Sequence, residues 1–182
     1  MNPTTKKIAY TGIFTALIAA LTMLSIPLPG GGYVHVGDSV IFLAATLLPT
    51  GYAVIAAGIG SMVADLVLAP QYAVATLLIK ALMALIVSLV MKRAKRRENI
   101  GNELKQTDVK RNENNRLLYA AAAFLAASLL MQVWYYVYEL FLNDFHIESA
   151  FLHVILGFMQ TVFSVPLGIL LTKYVKKSYL KL

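Results

Sequence analysis

The chain contains no cysteine, which excludes a disulfide framework and any thiolate metal or redox centre. Acids are scarce, with nine Asp and Glu against sixteen Lys and Arg, and only 14% of residues are charged. The three histidines are dispersed and no His-Glu-x-x-His spacing occurs, so no metal site is expected. A nucleotide loop is missing as well. Gly32-x4-Gly37-Asp38-Ser39 has a superficially similar spacing, but Asp38 stands where the lysine would be and would repel a phosphate. No cofactor is expected.

Apolar residues fill the chain instead: 59% of 182 residues, at a mean hydropathy of +0.69. Several runs reach the ~20 residues that a bilayer core of ~30 Å demands. They are continuous rather than alternating, which excludes a transmembrane β-barrel. The expected fold is all-α, a polytopic membrane protein in which residues 1–182 form one domain.

The net charge of +7 does not indicate nucleic acid, because of where the cations lie. Lys6 and Lys7, Lys92 to Arg116, and Lys173 to Lys181 hold all but one of them, each cluster flanking an apolar run. That pattern marks a cytoplasmic side. Lys80 alone lies inside a run. The N-terminal run is followed by Ile26-Pro27-Leu28-Pro29, with no small-residue cleavage site, and reads as a span rather than a signal peptide.

Six spans are expected, with both termini cytoplasmic. The first covers about Ile8 to Ile26 and stops at Pro27 and Pro29. Gly12, Ala16 and Ala20 form a small-residue stripe along it, suited to internal packing or to docking of a separate subunit. The second, Ser39 to Leu48, reaches only ~15 Å as a helix. Positive charge at Lys7 and at Lys92–Arg97 requires an even number of crossings between them, so this short segment must cross. The third ends near Ala69 and the fourth runs from about Tyr72 to Met91. Residues 92–116 form a charged linker expected to be solvated and partly disordered. The fifth span covers about Leu117 to Leu142 and the sixth about Ser149 to Thr172.

Polar groups gather toward the outer half. Between the first two spans, Gly30-Gly31-Gly32-Tyr33-Val34-His35-Val36-Gly37-Asp38-Ser39 places His35 and Asp38 where hydrocarbon would be expected. It reads as a wall or lid of a pocket, with Asp38 also capping the next helix. Ser128, Gln132, Tyr135 and Glu139 share one face of the fifth span; His153, Gly157, Gln160 and Ser164 share one face of the sixth. Trp134 and Tyr138 are explained by an aromatic belt at the interface, whereas the polar faces are not. Lys80, ~12 Å deep, either binds ligand or pairs with Asp65 or Glu139.

These stretches resemble the substrate-binding S component of an energy-coupling factor (ECF) vitamin transporter. Val34-His35-Val36-Gly37-Asp38-Ser39-Val40-Ile41-Phe42-Leu43-Ala44-Ala45 carries the resemblance, with Gly58-x-Gly60-Ser61-x-x-Ala64-Asp65-Leu66 and Leu78-Ile79-Lys80-Ala81-Leu82-Met83. They are similar to the riboflavin, hydroxymethylpyrimidine and pyridoxine branch. The resemblance implies a multi-pass protein of the cell membrane that captures a small vitamin or precursor from outside. It also implies a transmembrane T component, docked at Ala16-x-x-x-Ala20, and two separate ATPase subunits. The aromatic and amide groups near Lys80 favour hydroxymethylpyrimidine or pyridoxine over riboflavin. The expected ligand set is Tyr33, His35, Asp38, Lys80, Gln132, Tyr135, Glu139, His153 and Gln160. The competing class, a stand-alone ion-coupled carrier, would show inverted repeats with broken helices, and none is evident. A small intramembrane enzyme would rest on Ser149 near His153 alone.

Overall fold

Six α-helices and one short hairpin make up the computed structural model, which describes residues 2–27, 33–104, 109–142 and 147–175. The side chains at 98–104, 109–113, 148–150, 152, 153 and 156 are outside that description, so the structural statements below concern the rest.

Helix α1 (Pro3–Met23) starts where the Asn2 side chain accepts from the Thr4 N–H at 3.1 Å, with proline in the first turn. Thr11, Phe14, Ile18 and Thr22 recur at helical spacing and form its buried stripe. Gly12, Ala16 and Ala20 lie on exposed backbone opposite. The stripe therefore does not pack internally. The helix stops about three residues earlier than expected, because Ile26–Pro27 (β1) pairs with Tyr33–Val34 (β2) as an antiparallel hairpin.

Helix α2 (Gly37–Leu47) is short, about 16 Å at 1.5 Å per residue. Ten of its eleven residues are buried. A helix apolar on every side belongs in the middle of a bundle, and α2 touches α1, α3, α4 and α6. Phe42 stacks on Phe124 with ring centroids 4.3 Å apart.

Helix α3 (Thr50–Leu68) packs against both α1 and α4. Small residues let it approach so closely: a Cβ at Gly60 would meet the Thr15 carbonyl at 2.7 Å, and one at Gly58 the Leu77 carbonyl at 3.1 Å. A 3-10 turn (Pro70–Tyr72) leads into α4 (Ala73–Leu104), followed by α5 (Val109–Leu142) and α6 (Ile147–Tyr174). The described parts of the charged linker are helical. Helix α4 continues through it to Leu104 and α5 already begins at Val109, with 105–108 outside the described residues.

Helices α3, α4 and α5 are long and apolar enough to cross a bilayer. The outside of the bundle is as greasy as its inside. Ile55, Leu78, Leu129, Val133, Val162 and Phe163 are all exposed, an arrangement that lipid, not water, tolerates.

Candidate functional site

The helices alternate in direction, so the ends of α1, α3 and α5 meet the beginnings of α4 and α6 at one end of the bundle. Lys6, Lys7, Lys92 to Arg97, Arg116 and Lys173 lie at the other end. At the first end an internal cavity of about 70 Å³ opens beneath the hairpin.

The hairpin sets its upper wall. Pairing of Pro27 with Tyr33 fixes the strand that carries Tyr33 and leads into His35, and both side chains line the cavity. His35 is buried, and its Nδ1 accepts the Gly37 N–H at 3.0 Å. An accepting Nδ1 leaves the ring proton on Nε2, so the imidazole offers a donor there. A Cβ at Gly37 would lie 2.4 Å from Thr22 Oγ1 and 2.9 Å from His35 Nδ1, so only glycine fits this turn unchanged.

Below the hairpin, three helices are tied through one carboxylate. Lys80 of α4 donates to Asp38 Oδ1 at 2.6 Å, and Gln160 of α6 donates to Asp38 Oδ2 at 2.5 Å. The Lys80 and Asp38 side chains are 2% and 1% exposed. Lys80 thus pairs with Asp38, not with Asp65 or Glu139 as the sequence suggested. Its Nζ also reaches Met131 Sδ at 2.8 Å and lies 5.8 Å from the centre of the Tyr135 ring, within cation–π range.

A second group surrounds Asp65 near the end of α3. Its carboxylate accepts from the Tyr33 hydroxyl. Thr76 Oγ1 is 2.8 Å from the Tyr135 hydroxyl, and both side chains line the cavity with Asp65. Asp65 is thus held by the Tyr33 hydroxyl, and among the described residues no salt bridge reaches it. Thr22 Oγ1 and Ser61 Oγ line the same cavity, are fully buried and have no partner among the described residues. A buried hydroxyl without a partner is uncommon in a native structure and needs an explanation. Gln132 donates through Nε2 to the Gly157 carbonyl at 2.6 Å, which leaves its Oε1 as an acceptor.

Six of the expected ligand residues line the cavity: Tyr33, His35, Lys80, Gln132, Tyr135 and Gln160. Asp38 does not. It sits behind Lys80 and Gln160, with an oxygen bonded to each. Glu139 is not among the lining residues either; it accepts from the Tyr72 hydroxyl one helical turn beyond Tyr135. Of the other residues singled out in the sequence, the side chains of His153 and Ser149, and residues Gly30 to Gly32, lie outside the described residues. The sequence reading missed Thr22, Ser61, Tyr72, Thr76 and Met131 as lining residues, and treated Asp65 only as a partner for Lys80. The spacing of Ser61 and Asp65, four apart on one helix face, is the signal that was available.

Among the described residues no three His, Asp or Glu gather where a metal ion could be held. The cavity offers hydrogen-bond donors and acceptors around aromatic surface, which is the makeup of a binding site. Neither a curated protein nor a solved structure matches the chain. A sequence model of the S component of ECF-type riboflavin transporters matches residues 2–177, nearly the whole length. The chain belongs to the ECF S-component family, and so is an integral membrane protein that serves as the vitamin-binding subunit of a transporter rather than as an enzyme.

Proposed function

We propose that the cavity beneath the hairpin captures a single-ring, hydroxylated nitrogen heterocycle of the hydroxymethylpyrimidine or pyridoxine type. The observation that carries this reading is the cavity's size together with its polar lining. A volume of about 70 Å³ open to the centre of a water-sized sphere leaves room for more than a single water. In this reading one ring with short substituents occupies that space. Tyr33 and Tyr135 offer aromatic surface. His35 Nε2–H, the Lys80 ammonium and the hydroxyls of Thr22 and Ser61 offer donors; Asp65 and Gln132 Oε1 offer acceptors. Asp38 acts from behind by holding Lys80 and Gln160 in place.

Riboflavin is the second reading, favoured by the description of the family whose sequence model matches. Its three fused rings are bulkier than the single ring that this reading places in the cavity.

In this reading all six helices cross the membrane, the basic end faces the cytoplasm, and the cavity opens outward. The hairpin supplies the depth that α2 lacks. The exposed Gly12, Ala16 and Ala20 stripe receives a T component, and two ATPase subunits supply the energy, in keeping with the lack of a nucleotide motif in this chain. Mass spectrometry of the ligand retained by the purified protein tests the proposal. A hydroxylated single-ring vitamin supports it, a flavin selects the second reading, and failure to bind either class overturns both.

A further inference from the structure

We propose that the basic end of the bundle holds a second binding site, for a phosphate-bearing anion. A cavity of about 390 Å³ opens there between the ends of α2 and α6, the middle of α4 and the early part of α5. Lys92, Lys95 and Arg116 line it, and among the described residues none of those lining it is acidic.

Unsatisfied groups distinguish this cavity from an ordinary basic surface. Thr46 donates to the Leu43 carbonyl at 2.8 Å, and Ser88 is paired with Thr50 at 2.8 Å, so those hydroxyls are satisfied. Arg116 Nε and Thr172 Oγ1 are buried without a partner among the described residues. Thr172 is only 4% exposed. A buried guanidinium N–H and a buried hydroxyl lining one cavity are the donors that a phosphate oxygen accepts from. The planar fork of arginine also matches phosphate geometry better than a point charge does.

The charge balance points the same way. Among the described residues three cations line the cavity. The C-terminal ends of α2 and α6 subtract roughly half a charge each, and the N-terminal end of α3, whose N-cap Pro49 lines the wall, adds about the same half. A surplus of about two and a half positive charges remains. Leu47, Leu48 and Val175 supply apolar wall beside it. Basic pockets between membrane helices hold anionic headgroups by this combination. The phosphate comes either from an anionic lipid or from a soluble phosphate compound. The site lies at the opposite end from the vitamin cavity and does not depend on the reading of that cavity.

The test is thermal unfolding of the whole chain in nanodiscs of phosphatidylcholine, alone, with added phosphatidylglycerol, or with inorganic phosphate in the buffer. Three variants accompany the wild type: Arg116→Gln, Lys95→Gln, which changes an exposed side chain, and Arg93→Gln, which removes an exposed charge outside the cavity. Protection by phosphatidylglycerol that Arg93→Gln keeps and Arg116→Gln loses identifies a lipid site. Apparent affinity should fall at least about tenfold in Arg116→Gln, as for a lost charge-assisted hydrogen bond, and by less in Lys95→Gln. Protection by inorganic phosphate in pure phosphatidylcholine, with the same variant pattern, identifies a soluble anion. No protection by either, or equal responses in Arg116→Gln and Arg93→Gln, overturns the proposal. Should Arg116→Gln fail to fold, Lys95→Gln against Arg93→Gln decides by the same comparison.

Discussion

Replacing Lys80 with methionine removes a buried cation while keeping most of the side chain's length. Asp38 then keeps only the Gln160 amide, at 1% exposure. Breaking a buried pair by removing one partner costs ~3–5 kcal/mol, because the other charge is left uncompensated. At ~2–4 °C per kcal/mol for a chain of this size, Tm should fall by roughly 6–20 °C. Asp38→Asn should cost a similar amount, since the Met131 sulfur and the Tyr135 ring together cannot replace a carboxylate at 2.6 Å. The double variant carries neither charge and keeps an amide for Gln160, so it should recover to within about 1–2 kcal/mol of wild type. The assay is thermal unfolding of the four ligand-free proteins in one detergent, followed by ligand titration. Lys80 also lines the cavity, so affinity should stay about ten- to a hundredfold weaker in the double variant even as stability returns. Additive losses, with the double variant the least stable of all, would refute the pairing argument.

The other expectations concern different regions. Gly37→Ala should cost about 1–3 kcal/mol by overpacking against Thr22 Oγ1 and His35 Nδ1, and should weaken binding by displacing the imidazole, both read by unfolding and titration. Ala16→Trp or Ala20→Trp should abolish uptake in cells while leaving stability and ligand binding unchanged, because that face is exposed; equal loss of binding would contradict a docking role. Cysteines at Asn102 and Asn143 should label from opposite sides of intact cells, and labelling of both from outside would overturn the six-span topology.

Most of the helices could be read from the sequence because an uninterrupted apolar run of about twenty residues has few other fates. The ends were less legible. Residues 92–104 look like a polar linker by composition, yet extending an existing helix needs no new nucleus, and α4 simply continues to Leu104. Within the site, helical register puts Gln132 and Tyr135 on one face of α5, and they line the cavity together with Gln160 of α6. Register relates residues of one helix and does not say which helices touch. For that reason Asp38, 42 residues from Lys80, was not recognised as its partner. Nor does register give depth: Glu139 shares the face of Tyr135 but lies a turn further along, where Tyr72 binds it. That the Thr22 and Ser61 hydroxyls lack a partner was not legible, since hydroxyls in apolar helices ordinarily bond their own backbone. Only the assembled cavity reveals that these two do not.

The central claim, that the cavity beneath the hairpin is the vitamin site, is tested most directly by calorimetric titration of the retained ligand onto wild type, His35→Ala, Asp65→Asn and Trp134→Ala. His35 and Asp65 line the cavity, whereas Trp134 is 49% exposed on the outer face. Loss of a charge-assisted or imidazole hydrogen bond predicts about ten- to a hundredfold weaker binding for the first two variants, with Trp134→Ala unchanged. Wild-type affinity in both His35→Ala and Asp65→Asn would contradict the account and place the site elsewhere.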